Sequence, residues 1–270
     1  MLIKILTVLT VLIEAIICLF TGVIDGIADV WIPVVMFVGL YVAWAIIYVL
    51  TICVIALCID KKKPCDKVNP VCKFFVDITV EAVMQIFGIK FEVEGKEKIP
   101  SDRRFLLVSN HRSAADPFAV ITQLAKYRLA LISKPENFKI PLAGAFVHKC
   151  CYLPIDRENA RVAMRTLQRA TEFIKNDVTS IGVYPEGTRS KTGELLEFKD
   201  GVFYIAKRAE CPIVVMTVEN TEKVFKNLFK PKLTVKMKIL AVLEPESFAE
   251  KTTHEISEEV HNMMLLELGK

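Results

Sequence analysis

Asn110-His111-Arg112-Ser113-Ala114-Ala115-Asp116-Pro117 is the stretch on which the fold turns. An apolar run, Phe105-Leu106-Leu107-Val108, precedes it and reads as a short buried strand. Phe118-Ala119-Val120-Ile121-Thr122-Gln123-Leu124 follows it and reads as a helix. A histidine and an aspartate thus share a strand-to-helix loop, where side chains face a ligand while a rigid scaffold holds them. A second polar stretch, Tyr184-Pro185-Glu186-Gly187-Thr188-Arg189-Ser190, leaves another apolar run, Ile181-Gly182-Val183, in the same way. Working outward, strands are predicted over 91–94, 105–109, 129–133, 152–155, 180–184, 213–218 and 233–242. Helices are predicted over 117–125, 160–174, 201–208 and 247–268. Strands alternating with helices argue an α/β fold with a central sheet largely buried between helices.

The composition shifts sharply before that alternation begins. The chain is 53% hydrophobic with a mean hydropathy of +0.39, too apolar for an ordinary soluble domain. The excess lies in the first sixty residues. Residues 2–24 are apolar apart from Lys4 and Glu14, and 30–59 carry no charge. The second run exceeds the ~20 residues that span a bilayer, and a spanning helix tolerates Pro33 and Gly39. In the first run, Glu14 near mid-bilayer costs roughly 2.5 kcal/mol or more. A turn is expected over 21–26, giving a membrane hairpin; one span plus an interfacial segment is the fallback. A cleaved signal peptide fits less well, because the apolar run is long and lacks a small-x-small site. Asp60-Lys61-Lys62-Lys63 follows directly, and a lysine cluster at the end of a span places that end in the cytoplasm.

Residues 71–87 carry Phe74, Phe75, Ile78, Ala82, Val83, Ile86 and Phe87 at helical spacing, with Lys73, Asp77, Glu81 and Gln85 opposite. Such a helix either packs on a domain core or lies on the bilayer surface. The expected organisation is a membrane anchor at 1–60, a basic linker and amphipathic helix at 61–90, and a folded domain at 91–270. The net charge of +4 excludes a general polyanion-binding role, so no nucleic-acid partner is expected. Of the eight cysteines, Cys18, Cys53 and Cys58 lie in apolar runs. Cys65/Cys72 and Cys150/Cys151 lack the CxxC spacing of a zinc site, so free thiols in a reducing compartment are expected and no metal.

His-x4-Asp followed about seventy residues later by Glu-Gly-Thr-Arg-Ser resembles the 1-acyl-sn-glycerol-3-phosphate acyltransferase family of glycerolipid acyltransferases, over about residues 91–218. The resemblance implies a mixed central sheet flanked by helices in the 91–270 catalytic domain. It implies acyl transfer from acyl-CoA or acyl carrier protein to the sn-2 hydroxyl of 1-acyl-sn-glycerol 3-phosphate, forming phosphatidic acid. The donor is a co-substrate, and no bound cofactor is expected. Partners would be lysophosphatidic acid, the acyl donor and membrane lipids. Alternatives are the same transfer to another acceptor (glycerol 3-phosphate, another lysophospholipid, an amino-acid lipid) or a silent lipid-binding scaffold. Intact His111, Asp116, Glu186 and Arg189 argue against silence.

Such chemistry needs a base for a hydroxyl, a polarised thioester carbonyl and a grip on phosphate. Imidazole titrates near the working pH, so His111 suits the first. Asp116 would hold the other ring nitrogen and fix the tautomer. Asp-Pro at a helix start is also an N-cap pattern, and both roles can hold at once. Asn110 would brace the loop. Guanidinium is the natural bidentate partner of phosphate, so Arg189 is the leading phosphate ligand. Gly187 lets backbone approach a ligand. The resemblance implies that Glu186, Gly187, Thr188 and Arg189 bind the acceptor, with Glu186 orienting Arg189 or touching the glycerol. Cys151-Tyr152-Leu153-Pro154-Ile155-Asp156-Arg157 resembles a further family block and makes Arg157 a second phosphate ligand. Ser133-Lys134-Pro135-Glu136 resembles another, with Lys134 reaching the same phosphate. Where the family usually has a second proline after Cys211-Pro212, this chain has Val215. Lys223, Lys226, Lys230, Lys232, Lys236 and Lys238 are interleaved with Phe225, Leu228 and Phe229. They form either a half-solvated strand or a contact with anionic headgroups or the phosphates of an acyl carrier.

Overall fold

The computed structural model describes residues 2–22, 26, 29, 31–228 and 230–269. The chain divides into two compact units, Met1–Asp60 and Lys61–Lys270.

The first unit holds helices α1 (Leu2–Thr21) and α2 (Trp31–Leu57). Each has a mean hydropathy of 2.5 over its most apolar window and only 6% of that window buried, so their apolar side chains face outward. At 1.5 Å per residue, α1 and α2 reach about 30 and 40 Å, enough to cross a hydrocarbon core. The two helices pack on each other, the Thr7 hydroxyl lying 3.1 Å from the Tyr41 hydroxyl. The expected turn over 21–26 lies largely outside the described residues. An apolar helix that crosses a bilayer does not depend on screened charge. The protein should therefore stay in the membrane fraction through high-salt and carbonate washes, and release by salt alone would overturn the membrane reading.

The second unit opens with α3 (Pro70–Ile86), started by Asn69, whose side chain accepts the Cys72 N–H, and by Pro70 in the first turn. One face of this amphipathic helix packs on the domain. Cys72, Ile78, Val80 and Met84 are buried in the domain, whereas Val71, Phe74 and Ile86 remain exposed.

Seven strands follow: β1 (Ile89–Glu94), β2 (Leu106–Ser109), β3 (Leu129–Ser133), β4 (Leu153–Pro154), β5 (Ser180–Val183), β6 (Ile213–Glu219) and β7 (Leu233–Leu243). Between and after them run α4 (Asp116–Gln123), α5 (Ala143–Lys149), α6 (Ala160–Lys175), α7 (Tyr204–Ala209), α8 (Pro245–Phe248) and α9 (Thr253–Leu268). The strands form one sheet in the order β1-β7-β6-β2-β5-β3-β4. β6, β2, β5, β3 and β4 are mutually parallel, whereas β7 runs antiparallel to β6 and carries β1 parallel to itself. The sheet is thus mixed. Leu106, Val108, Ile181, Ile213, Val214 and Val215 at its centre are almost wholly buried, as continuous apolar strands of a helix-covered sheet should be. In β7, Val235, Met237 and Ile239 face the core and Lys236 faces solvent, which is the half-solvated strand expected there.

Three details differ from the sequence expectations. The helix expected over 247–268 is two helices, because Thr252 and Glu255 form a reciprocal capping box that starts α9 afresh. The segment expected as helix over 201–208 begins as a 3₁₀ turn, Asp200–Phe203, before α7. Helix α5 has no counterpart among the expectations, being too short to show an amphipathic period.

Candidate active site

Parallel strands send their carboxyl ends to one edge of a sheet, and the loops there are where ligands bind in open α/β folds. Here β2 ends two residues before His111, and β5 ends three residues before Glu186. Lys134 directly follows β3, Arg157 lies just beyond β4, and Thr221 just beyond β6. The strand order therefore lines up Thr221, His111, Glu186–Arg189, Lys134 and Arg157 along one edge. At about 4.8 Å per strand, Arg157 lies roughly 14 Å from the His111 loop.

His111 Nδ1 lies 2.7 Å from Asp116 Oδ2. Facing a carboxylate, Nδ1 carries the ring hydrogen, and Nε2 is left as an acceptor with no hydrogen bond to the described residues. The imidazole stacks on the Tyr184 ring, centroids 4.3 Å apart and planes 19° apart. The Asp116 side chain is wholly buried and takes four donors. Its Oδ2 also accepts the Arg112 N–H at 2.7 Å and the Ser113 N–H at 2.8 Å. Its Oδ1 accepts the Thr221 hydroxyl. A buried carboxylate without such partners would be costly; four donors hold it and fix its orientation.

Asp116 is not a helix cap. Ala115 occupies the N-cap position without a side-chain bond, and Asp116 is the first helical residue. Its carboxyl turns back onto the His111–Ser113 loop instead of forward onto α4, because two loop N–H groups and the imidazole offer more donors than the helix end. Asn110 braces the loop as expected: its amide donates to Val218 O at 3.0 Å and accepts the Val218 N–H at 2.8 Å.

Glu186 is likewise turned inward. It is 4% exposed; Oε1 accepts the His111 N–H at 2.5 Å and Oε2 the Leu196 N–H at 3.0 Å. Burial raises its carboxyl above the usual range, and these two N–H groups oppose that rise. It clasps the two loops together and does not orient Arg189. The Ser190 N–H adds a second tie, to His111 O at 2.9 Å. Gly187 has φ +70°, which lets the loop reverse tightly after Glu186. The reversal leaves Thr188 and Arg189 exposed, and Arg189 has no ion pair among the described residues. Lys134 and Arg157 are exposed as well. Desolvation lowers the Arg157 guanidinium below its ordinary value, which Glu136 opposes.

Thr221 and Tyr184 are the residues that sequence reading passed over. No spacing rule ties Thr221 to an aspartate 105 positions earlier; only the pairing of β6 with β2 does. Losing a hydrogen bond to a charged group costs about 1.5–3 kcal/mol. Thr221→Val should therefore lose about that much stability in chemical denaturation, and Thr221→Ser, which keeps the hydroxyl, should not. Equal stability for the two variants would show that this bond contributes nothing.

A cavity of about 960 Å³ opens at the opposite, amino-terminal edge, between Phe74 and Asp77 of α3, Arg128 before β3 and Val178 before β5. Neither His111 nor Asp116 is among its lining residues. Among the described residues, no three His, Cys, Asp or Glu side chains converge as metal ligands.

Residues 90–219, from β1 through β6, match the Acyltransferase family model. A 1-acyl-sn-glycerol-3-phosphate acyltransferase of Limnanthes douglasii is 34% identical over 139 residues, covering 52% of this chain and 48% of that protein. The human 1-acyl-sn-glycerol-3-phosphate acyltransferase beta is 30% identical over 152 residues, 54% of each chain. The chain thus spans about half the length of the curated relatives it matches. Among solved structures, the 1-acyl-sn-glycerophosphate (LPA) acyltransferase PlsC from Thermotoga maritima superposes with a TM-score of 0.59 at 27% identity, covering 73% of this chain and 80% of that one. Residues 90–219 thus form an acyltransferase domain, and the chain is similar to the 1-acyl-sn-glycerol-3-phosphate acyltransferases.

Proposed function

We propose that the protein is a membrane-bound acyltransferase that esterifies the sn-2 hydroxyl of 1-acyl-sn-glycerol 3-phosphate with a fatty acyl group from acyl-CoA or acyl carrier protein, giving phosphatidic acid. The observation that carries this reading is the 2.7 Å contact between His111 Nδ1 and a fully buried Asp116 carboxylate, beside the Arg189 loop. The names of the relatives supply the acceptor class.

The acceptor hydroxyl attacks the thioester carbonyl carbon while His111 Nε2 takes its proton. Asp116 stabilises the imidazolium that forms, its charge fixed in place by the Arg112 and Ser113 N–H groups and the Thr221 hydroxyl. The tetrahedral intermediate collapses, the C–S bond breaks, and the proton on Nε2 passes to the departing thiolate. No covalent enzyme intermediate forms, because the nucleophile belongs to the acceptor. Arg189 grips the acceptor phosphate, with Gly187 and Thr188 shaping the approach. Arg157 and Lys134, farther along the edge, extend the basic surface toward the phosphate or the donor's own phosphates. The reaction as written calls for no metal and no bound cofactor.

The α1–α2 hairpin anchors the domain, and Lys61–Lys63 keep it on the cytoplasmic side. The exposed Val71, Phe74 and Ile86 let α3 lie against the bilayer that holds the substrate. Purified protein should acylate lysophosphatidic acid faster than glycerol 3-phosphate or other lysophospholipids when each is offered with both donor types. Preference for a different acceptor would reassign the substrate. Lipid binding without transfer to any acceptor would leave only a scaffold.

A further inference from the structure

Five of the eight cysteines, Cys65, Cys72, Cys150, Cys151 and Cys211, belong to the folded unit, away from the candidate active site. Two of them touch: Sγ of Cys65 lies 3.0 Å from Sγ of Cys151. Cys65 comes from the linker that precedes α3, and Cys151 lies two residues before edge strand β4. The linker is laid against the domain on either side of this contact. The Asn69 N–H donates to Lys149 O at 2.9 Å, and His148 Nε2 donates to Lys63 O at 2.9 Å. Arg169 pairs with Asp66 between them. The approach of the two sulfurs is thus a feature of a docked segment.

The two thiols are unlike. Cys65 is partly exposed, whereas Cys151 is 1% exposed. A hydrogen bond from the Cys151 thiol brings Cys65 down to about 7 against the effect of burial, and the Lys149 ammonium adds to it. Giving that hydrogen bond, together with burial, pushes Cys151 far up. The accessible sulfur is therefore the readier of the two to ionise, and the buried one holds its proton. An attacking thiol works best with a pKa near ambient pH. Cys72, Cys150 and Cys211 are all buried and shifted upward, chiefly by burial, so none of them competes as a nucleophile.

We propose that Cys65 and Cys151 are an oxidisable pair that closes to a disulfide by exchange with a small-molecule disulfide of the glutathione type. The Cys65 thiolate attacks one sulfur of the oxidised glutathione, forming a mixed disulfide and expelling one glutathione thiolate. Cys151 then gives up its proton and attacks the Cys65 sulfur, forming the internal S–S bond and expelling the second thiolate. Two protein thiols are oxidised, one external disulfide is reduced to two thiols, and no other reactant is needed. The bridge fixes the linker to the start of β4, the strand whose other end presents Arg157. Intracellular disulfides of this kind are transient and serve to sense redox state.

The test uses the full-length protein in detergent, treated with oxidised glutathione, quenched in acid, denatured and alkylated without reductant. Intact mass should show the alkyl count falling from eight to six with no glutathione retained, and the peptides holding Cys65 and Cys151 should be joined. In native protein at pH 7, Cys65 should alkylate about tenfold faster than the other thiols of the folded unit. Cys151→Ala should trap glutathione on Cys65, while Cys65→Ser should lose no thiol at all. Cys65 is not part of the core, so that variant keeps the test open if Cys151→Ala does not fold. Retention of all eight labels, a glutathione adduct that persists on the parent protein, or a bridge between any other pair would each overturn the proposal.

Discussion

Asp116→Asn is expected to fold normally and to turn over about 10²- to 10⁴-fold more slowly, the range that a positioned general base contributes. Asparagine fits the site in one orientation. Its carbonyl oxygen at the Oδ2 position keeps the Arg112 and Ser113 N–H groups and the imidazole Nδ1–H as donors. Its amide at the Oδ1 position donates to Thr221, whose hydroxyl turns to accept. Packing and tautomer survive, so the thermal midpoint should move by no more than about 4 °C. The negative charge beside the forming imidazolium is lost. In a serine protease the same change also selects the wrong tautomer and costs ~10⁴ in kcat. Here one carboxylate oxygen takes all three loop donors, so the loss isolates the charge alone. His111→Ala removes the base itself and should fall at least as far. The double variant should be little worse than His111→Ala, because residues that act as a unit are not additive. Near-parent turnover in Asp116→Asn would show that the aspartate only shapes the loop.

Arg189→Lys should raise the acceptor KM about 10- to 100-fold while leaving the donor KM near its parent value. Arg189 is exposed at the end of a loop that Gly187 reverses, and it has no ion pair among the described residues to keep it from a phosphate. Lysine keeps the charge but loses the planar fork that binds two phosphate oxygens at once. A charge-assisted hydrogen bond is worth about 1.5–3 kcal/mol, and each 1.4 kcal/mol is about tenfold in affinity. Steady-state kinetics with each substrate varied in turn separates the outcomes. A rise in the donor KM alone would assign Arg189 to the donor and would move the acceptor's phosphate to Arg157 or Lys134.

Much of the domain was legible in the sequence because strand positions are written locally. Every strand expected from an apolar run is present, with ends shifted by no more than two residues. The helix at 160–174 was equally plain: its stripe of Leu167, Ala170, Phe173 and Ile174 faces the core, and Asn159 caps it. What local pattern misled was the long helix at the carboxyl end. Residues 249–252, Ala-Glu-Lys-Thr, hold no Gly or Pro to mark a stop, yet α8 ends at Phe248 and the capping box at Thr252 starts α9. Glu186 misled for a related reason. A Glu next to a Gly and three residues from an Arg looks like an ion pair on a turn, yet the carboxyl turns inward because the His111 and Leu196 N–H groups need an acceptor in the buried space between loops.

The sequence by itself determined the strands, the two polar loops that leave β2 and β5, and the apolar helices ahead of the domain. Each of these rests on the period or polarity of neighbouring residues, which a linear reading contains. Tertiary structure alone decided which strands lie side by side. That order sets β5 between β2 and β3 and β6 on the other flank of β2, and so brings Glu186 to the backbone of His111 and Thr221 to the carboxylate of Asp116. It also brought Cys65 to Cys151, 86 positions apart. Contacts at such separations are chosen by the packing of the whole core and by the closure of long loops, and nothing in the spacing of the residues involved records that choice.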